Sequence, residues 1–291
     1  MKARLDIILV ERGLFATRSQ AAAAVMAGEV LVEGQPVTKA GTQVSPGAEI
    51  TLKEEPRFVS RGGLKLEHAF QEFPIDVTGL AVLDAGASTG GFTDCLLQHG
   101  ARKVIAVDVG YGQLDWKLRQ DPRVEVLERT NVRHLKPGML SEPPAFAVCD
   151  LSFISLKKII PAVIECLRPG FAIVALVKPQ FEAGREDIGK GGVVRDPEVR
   201  RRVLEDIWGF AEELGLTVRG LVQSPVRGPK GNVEYLIYMT GPGAPLAAGQ
   251  TLPERGEAIE RAWSAAKNKI PGENRMQGVS RGRETSDLYP P

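Results

Sequence analysis

The run Val82-Leu83-Asp84-Ala85, followed at once by Gly86-Ala87-Ser88-Thr89-Gly90-Gly91-Phe92, constrains this chain more than any other stretch. An apolar segment that ends in an acid and then a glycine turn is how a parallel strand hands over to a helix whose N-terminus faces a nucleotide. The glycines fall as Gly-x-x-x-Gly-Gly, whereas a dinucleotide fingerprint requires Gly-x-Gly-x-x-Gly. The spacing therefore favours S-adenosylmethionine. Gly86 lets the backbone approach the amino-acid end of that cofactor, and Asp84 is placed to orient the turn or the cofactor's ammonium group. Ser88 and Thr89 are placed to bond the cofactor or to cap the helix, and Gly90 and Gly91 complete the turn. Taken alone, the glycines fit an ordinary strand-turn-helix corner equally well.

The next apolar run, Lys103-Val104-Ile105-Ala106-Val107-Asp108, also ends in an acid. This is where a doubly wound sheet presents a carboxylate to both ribose hydroxyls, so Asp108 is expected to bind the cofactor. Asn131 follows the third strand and is placed near the adenine edge, or forms a simple turn. Strand-like runs at 81–85, 103–108, 124–128, 146–150 and 171–177 alternate with helical patterns at 91–99, 113–120, 155–167 and 196–214. The expected fold class is α/β: a Rossmann-like, doubly wound sheet covered on both faces. The runs at 216–223 and 233–239 are expected to add an antiparallel pair at one end, with one strand antiparallel to the rest.

Composition excludes several other classes. With 43% hydrophobic and 25% charged residues, the chain is neither fibrous nor wholly disordered. No apolar run approaches a membrane span, and the apolar run at the N-terminus is too short for a signal peptide, so no membrane partner and a cytoplasmic location are expected. Cys95, Cys149 and Cys166 lack a paired spacing, and His68, His99 and His134 are isolated in sequence, so no metal site is expected. The net charge of +1 gives no global sign of nucleic acid.

Residues 1–56 read as a separate small α+β unit. A short amphipathic helix at Leu5–Val10 is followed by a second opening at Thr17, then strands at Glu29–Val32, Gln35–Val37 and Val44–Leu52. Arg4, Arg12 and Arg18 fall in the first helices and are expected to share an RNA-binding face. Residues 57–66, carrying Arg57, Arg61 and two glycines, read as a linker shaped to meet an anion, with Arg61 a further RNA contact. Residues 67–240 form the second domain and 241–291 a linker and flexible tail, with one helix expected within 253–269.

Several motifs in order carry a family resemblance. The small front unit has Arg4-Leu5-Asp6, Ser19-Gln20-Ala21 and Pro46-Gly47-Ala48-Glu49-Ile50, and resembles the S4 RNA-binding domain. Together with Ser60-Arg61-Gly62-Gly63-Leu64-Lys65-Leu66, the Asp84–Asp94 turn, Cys149-Asp150-Leu151-Ser152-Phe153-Ile154-Ser155 and Val177-Lys178-Pro179-Gln180-Phe181-Glu182, it resembles the TlyA family, also labelled haemolysin A. The resemblance implies an S-adenosylmethionine-dependent 2′-O-methyltransferase acting on ribose of ribosomal RNA, on cytidine, with an FtsJ-like catalytic domain and ribosomal subunits as partners. It also implies a Lys-Asp-Lys-Glu tetrad at Lys65, Asp150, Lys178 and Glu234, with Lys178 as the base, Asp150 holding its amine, and Lys65 and Glu234 positioning the ribose. The chain departs from some members at Arg57-Phe58-Val59, which lacks their tryptophan. A non-catalytic RNA-binding factor, a base methyltransferase and a membrane-active haemolysin are the alternatives. The base enzyme would carry an Asn-Pro-Pro-Tyr type motif or a catalytic cysteine in place of Asp150-Leu151-Ser152-Phe153.

Overall fold

The computed structural model describes residues 2–53, 56–228, 230–246 and 251–265. They divide into two compact units, with the boundary between Arg57 and Phe58.

The first unit contains strand β1 (Ala3–Arg4), helices α1 (Leu5–Glu11) and α2 (Arg18–Met26), and strands β2 (Val30–Val32), β3 (Gln35–Pro36), β4 (Gln43–Val44) and β5 (Ile50–Leu52). Thr17 caps α2, its side chain accepting from the Gln20 amide at 3.3 Å, as a threonine before an apolar-periodic run should. Leu5, Leu9, Ala21, Val25 and Val30 form the core. The expected single strand over Val44–Leu52 is instead two. Ser45 accepts from the Ala48 amide at 2.9 Å in a turn through Pro46 and Gly47, so β4 pairs with β1 and β5 with β2.

The second unit opens with α3 (Gly62–Glu72), then β6 (Ala81–Ala85), α4 (Gly91–Gln98), β7 (Lys103–Val107), α5 (Trp116–Gln120), β8 (Val124–Leu127), β9 (Phe146–Cys149), α6 (Ile160–Cys166) and β10 (Ala172–Val177). It continues with α7 (Pro179–Glu182), α8 (Pro197–Glu213), β11 (Thr217–Gln223), β12 (Tyr235–Thr240) and α9 (Arg255–Ser264). The seven strands lie in the order β11-β12-β10-β9-β6-β7-β8. Only β12 runs against its neighbours, antiparallel to both β10 and β11, as the expected end pair requires. Side-chain alternation along the strands fills both faces. Val82, Val104, Ala106 and Val148 pack on one side with α3 and α4, whereas Leu83, Ile105, Ala147 and Ile173 pack on the other with α6 and α8.

Two domain expectations are corrected. Residues 58–66 are not a linker: Phe58 is buried in the core of the second unit, and α3 begins at Gly62. The Phe58 ring anchors this segment and is what requires a glycine at 63, where a Cβ would stand 2.3 Å from it. Residues 241–265 are not wholly a tail either, because Ala258, Ile259, Ala262 and Trp263 of α9 join the main core and the Trp263 indole donates to the Pro197 carbonyl at 2.8 Å. The tail expected over 271–291 lies outside the described residues.

The chain passes from β6 to β7 on one side and returns to β9 on the other, so the sheet order reverses between β6 and β9. Loops leaving the carboxyl ends of these two strands diverge there and open a crevice. Gly91, the first residue of α4, lets α3 approach: a Cβ would stand 2.2 Å from the Ser60 hydroxyl oxygen and 2.8 Å from the Gly63 nitrogen. Gly91→Ala is therefore expected to lower unfolding stability by about 1–3 kcal/mol, read from the urea midpoint at unchanged slope. An unchanged midpoint would show that α3 accommodates the methyl group.

Candidate active site

Gly86 follows β6 and Asp150 follows β9, side by side across the crevice. The Asp150 amide donates to the Ala85 carbonyl at 3.0 Å, and a Cβ on Gly86 would lie 2.6 Å from the Asp150 carbonyl oxygen. With φ at +94°, position 86 also needs the left-handed conformation that glycine adopts without strain. The turn then passes Ser88, itself at φ +49°, whose amide donates to Asp108 Oδ2 at 2.9 Å. Asp108 Oδ1 accepts from the Gly110 amide at 2.6 Å, so the carboxylate is fixed between the two loops.

Gly86, Ser88, Asp108, Asn131, Asp150 and Phe153 contribute to the walls of a cavity of about 470 Å³, within the range of small-molecule sites. A fixed carboxylate at one end and close backbone approach at the other fit an extended nucleoside carrying a charged side arm. Asn131 caps a short 3-10 turn, accepting from the Arg133 amide at 3.0 Å, and also lines this cavity. Thr89 and Gly91 line an adjoining cavity, whereas Gly90 lies against Leu118 and lines neither.

Asp84 does not face the cofactor cavity. It is fully buried in β6, where Oδ2 accepts from the Thr93 hydroxyl at 2.6 Å and Oδ1 has no partner. The strand alternation that aims it inward is what a run of uniformly buried residues conceals in sequence. Its role is to tie β6 to α4. Burial pushes its carboxyl up to about 7, assisted by the negative charges of Asp150 and Asp108 and opposed by the Thr93 hydrogen bond.

The second cavity, of about 280 Å³, gathers the four residues of the expected tetrad. Lys178, just after β10, places Nζ 2.6 Å from Asp150 Oδ1, and donates to the Ser152 hydroxyl at 3.2 Å. Lys65, from α3, places Nζ 2.6 Å from Glu234 Oε2 and 3.9 Å from Asp150 Oδ2. Lys65, Lys178 and Glu234 are buried, and Asp150 is half-buried between the two ammonium groups. Two cations and two anions thus alternate along one wall, each within reach of an opposite charge. Arg61 and Arg227 line the same cavity and are exposed.

A third cavity of about 820 Å³ shares Ser152, Lys178 and Glu234 with the second. Its walls include Phe153 and Phe181, with ring centroids 5.2 Å apart, and the basic residues Arg133, Lys158 and Lys230. Phe153 is 90% exposed and sits at φ +63°, a conformation a bulky residue rarely holds. Of this wall the sequence shows only the basic loop that carries Lys230; Phe153, Phe181, Arg133 and Lys158 come from separate loops, and an aromatic three residues past an acid at a strand end is the available signal.

The expected arginine face of the first unit is partly neutralised. Arg4 and Arg18 both donate to Asp6, at 3.1 Å and 2.9 Å, and Arg12 donates to the Pro46 and Ala48 carbonyls. These hydrogen bonds, Arg4's foremost, hold the Asp6 carboxyl down at about 2. The guanidinium groups remain exposed. In the second unit, Arg202 pairs with Asp187 and Arg201 with Glu205, so the Arg200–Arg202 run is largely committed locally. His99 and Cys95 are not isolated: the His99 Nε2 lies 2.7 Å from Glu67 Oε2, and Cys95 Sγ lies 3.9 Å from the same oxygen.

Residues 58–240 match the FtsJ-like methyltransferase family model, and residues 3–50 match the S4 domain. The chain is 49% identical over 240 residues to the 16S/23S rRNA (cytidine-2′-O)-methyltransferase TlyA of Mycobacterium tuberculosis, covering 82% of this chain and 90% of that one. It is 43% identical to Hemolysin A of Brachyspira hyodysenteriae, covering 81% and 98%. A solved Streptococcus thermophilus chain provisionally named a hemolysin superposes with a TM-score of 0.68 at 46% identity, covering 91% of this chain and 97% of that one.

Asp84 gives a pH test of the corner on which the crevice rests. Its folded pKa of about 7 lies above its ordinary 3.8, so its contribution to stability is full below pH 4 and is lost as pH rises toward 7. Relative to Asp84→Asn, the wild-type protein should lose about 1.4 kcal/mol per pH unit across that window, read from urea midpoints. A difference that stays flat with pH would contradict the assignment.

Proposed function

The chain belongs to the FtsJ-like methyltransferase family with an S4 domain in its N-terminal part, and from that premise we propose that it methylates the ribose 2′-oxygen of a cytidine in ribosomal RNA, in the cytoplasm. The methyl donor is S-adenosylmethionine. The observation that carries the reading is the alternating Lys178–Asp150–Lys65–Glu234 cluster, set where the donor cavity meets the larger basic and aromatic cavity.

The donor would be held by the Gly86 turn at its amino-acid end, by the Asp108 carboxylate at its ribose and by the loop of Asn131 at its base. When bound, it supplies a methyl group already activated on a sulfonium. What remains for the protein is to align a poorly acidic hydroxyl and to take its proton. Lys178 is the base: its ammonium first releases a proton to solvent, the neutral Nζ then takes the hydroxyl proton as the methyl group is transferred, and the ammonium that re-forms is stabilised by Asp150 Oδ1 at 2.6 Å. Lys65, held by Glu234, presents its remaining N–H groups toward the acceptor ribose and its phosphate. Phe153 and Phe181, with Arg133, Lys158 and Lys230 around them, suit an unpaired nucleotide: aromatic faces stack a base and cations take the phosphates.

A base methyltransferase that works through a cysteine is disfavoured by Cys149, the nearest thiol in sequence to Asp150. It is fully buried, and burial drives its thiol far above the range in which a thiolate forms. The hemolysin names of two similar chains are not carried to this one; no helix among the described residues is long and apolar enough to cross a membrane.

Lys178→Ala should reduce turnover of labelled methyl groups into unmethylated ribosomal subunits by roughly 10²–10⁴-fold. Donor binding, followed by calorimetry, should remain nearly intact, because Lys178 does not line the donor cavity. Wild-type turnover in the variant would remove Lys178 from the role of base.

A further inference from the structure

Helices α3 and α4 bring three metal-ligating side chains together away from the crevice. Cys95 and His99 stand four residues apart on α4 and at its C-cap, so their side chains share one face. Glu67 comes from the facing helix α3. Glu67 Oε2, Cys95 Sγ and His99 Nε2 all lie within 4.8 Å of one another. We propose that Glu67, Cys95 and His99 form a binding site for a zinc-class divalent transition metal, which clamps α3 to α4.

The donor set selects the metal class. One thiolate, one imidazole and one carboxylate suit zinc or its borderline neighbours and not the oxygen-seeking magnesium or calcium. In a tetrahedral zinc site with Zn–S near 2.3 Å and Zn–N and Zn–O near 2.0–2.2 Å, ligand atoms stand roughly 3.3–3.6 Å apart. The Glu67–His99 pair at 2.7 Å must open by about half an ångström and the sulfur, at 3.9 Å from Glu67, must close by a similar amount. The Cys95–His99 pair, within 4.8 Å, must close by up to about 1.3 Å, and the partly exposed His99 ring is the member with room to move. The His99 ring is oriented by Phe70, at a centroid separation of 4.3 Å, and its side chain is 33% exposed, which leaves an edge through which water completes the fourth position.

Charge balance favours occupancy. Cys95 and Glu67 are buried among Leu66, Ala69 and Leu96, where one thiolate and one carboxylate exactly offset a doubly charged cation. Binding passes the proton of the Cys95 thiol to solvent and requires His99 to present the Nε2 lone pair, with its ring proton on Nδ1. The clamp has a consequence for the crevice. Glu67 lies two residues beyond Lys65 of the tetrad, and α4 is the helix that the Gly86–Gly91 turn opens, so the metal fixes two site-bearing helices to each other.

The test uses the full chain without a histidine tag, stripped by a chelator under reductant and titrated with Zn²⁺ and with Co²⁺. One equivalent of each should bind, and the cobalt form should show thiolate-to-metal charge-transfer absorption that zinc displaces. Cys95→Ser should abolish that absorption, Cys166→Ser should leave it, and His99→Ala should weaken Zn²⁺ binding on the order of a hundredfold. Saturating Zn²⁺ should raise the thermal midpoint of the wild-type protein by about 5 °C and leave Cys95→Ser unmoved. Substoichiometric binding by the wild-type protein would overturn the proposal and leave the cluster held by hydrogen bonds, His99–Glu67 among them. A cobalt absorption that survives Cys95→Ser would overturn it as well, whatever the methyl-transfer activity.

Discussion

Two lysines and two carboxylates can share a dry wall only when every charge has an opposite charge within hydrogen-bond reach, and the second unit is arranged around meeting that condition. Lys65 comes from α3, Asp150 from the end of β9, Lys178 from the end of β10 and Glu234 from the start of β12. Asp150 is the common partner, 2.6 Å from Lys178 and 3.9 Å from Lys65, and Glu234 completes the set at 2.6 Å from Lys65. Removing Lys65 would leave Glu234, 1% exposed, as an uncompensated buried charge, a loss of about 3–5 kcal/mol for pairs of this kind, whereas Asp150 without Lys178 keeps Lys65 and partial access to water. The same electrostatics serve a proton transfer: a lysine that accepts a proton beside a fixed carboxylate gains its counter-ion without any rearrangement.

The cluster depends on backbone contacts that look remote from it. Asp150 reaches its position because β9 runs parallel to β6 and because Gly86, with no Cβ, lets the two strand ends converge. Lys65 reaches its position because Gly91 admits α3, with Phe58 buried beside it. Asp84 and Thr93 hold the corner between them. The crevice is thus set by close approaches among backbone segments, and the charges are delivered to it by the ends of strands that the core has already fixed.

Much of this was legible in the sequence. The alternation of apolar runs and helical patterns placed all seven strands of the main sheet to within two residues at each end, because long buried strands and amphipathic helices carry strong periodic signals. The tetrad was legible by family resemblance, and its members do converge. What was not legible follows from three physical causes. Of the two roles open to Asp84, orienting the turn and meeting the cofactor's ammonium, its hydrogen bond to Thr93 supports the first, and a strand buried on both faces shows no alternation to say which way an acid points. Residues 57–66 resemble a linker by their Arg-Gly-Gly, and only the burial of Phe58 and the start of α3 at Gly62 show that 58–66 belong to the second unit. Glu67, Cys95 and His99 escaped because the third partner lies on another helix, and Asp6 was not recognised as the acid that occupies Arg4 and Arg18.

The central claim is that this wall of alternating charges deprotonates a ribose hydroxyl. The most direct measurement incubates the enzyme with methyl-labelled donor and unmethylated ribosomal subunits, digests the RNA to nucleosides and locates the label by mass spectrometry. The account predicts label on the 2′-oxygen of cytidine. Label on a nucleobase would contradict it, since a base acceptor presents no ribose hydroxyl for Lys178 to deprotonate.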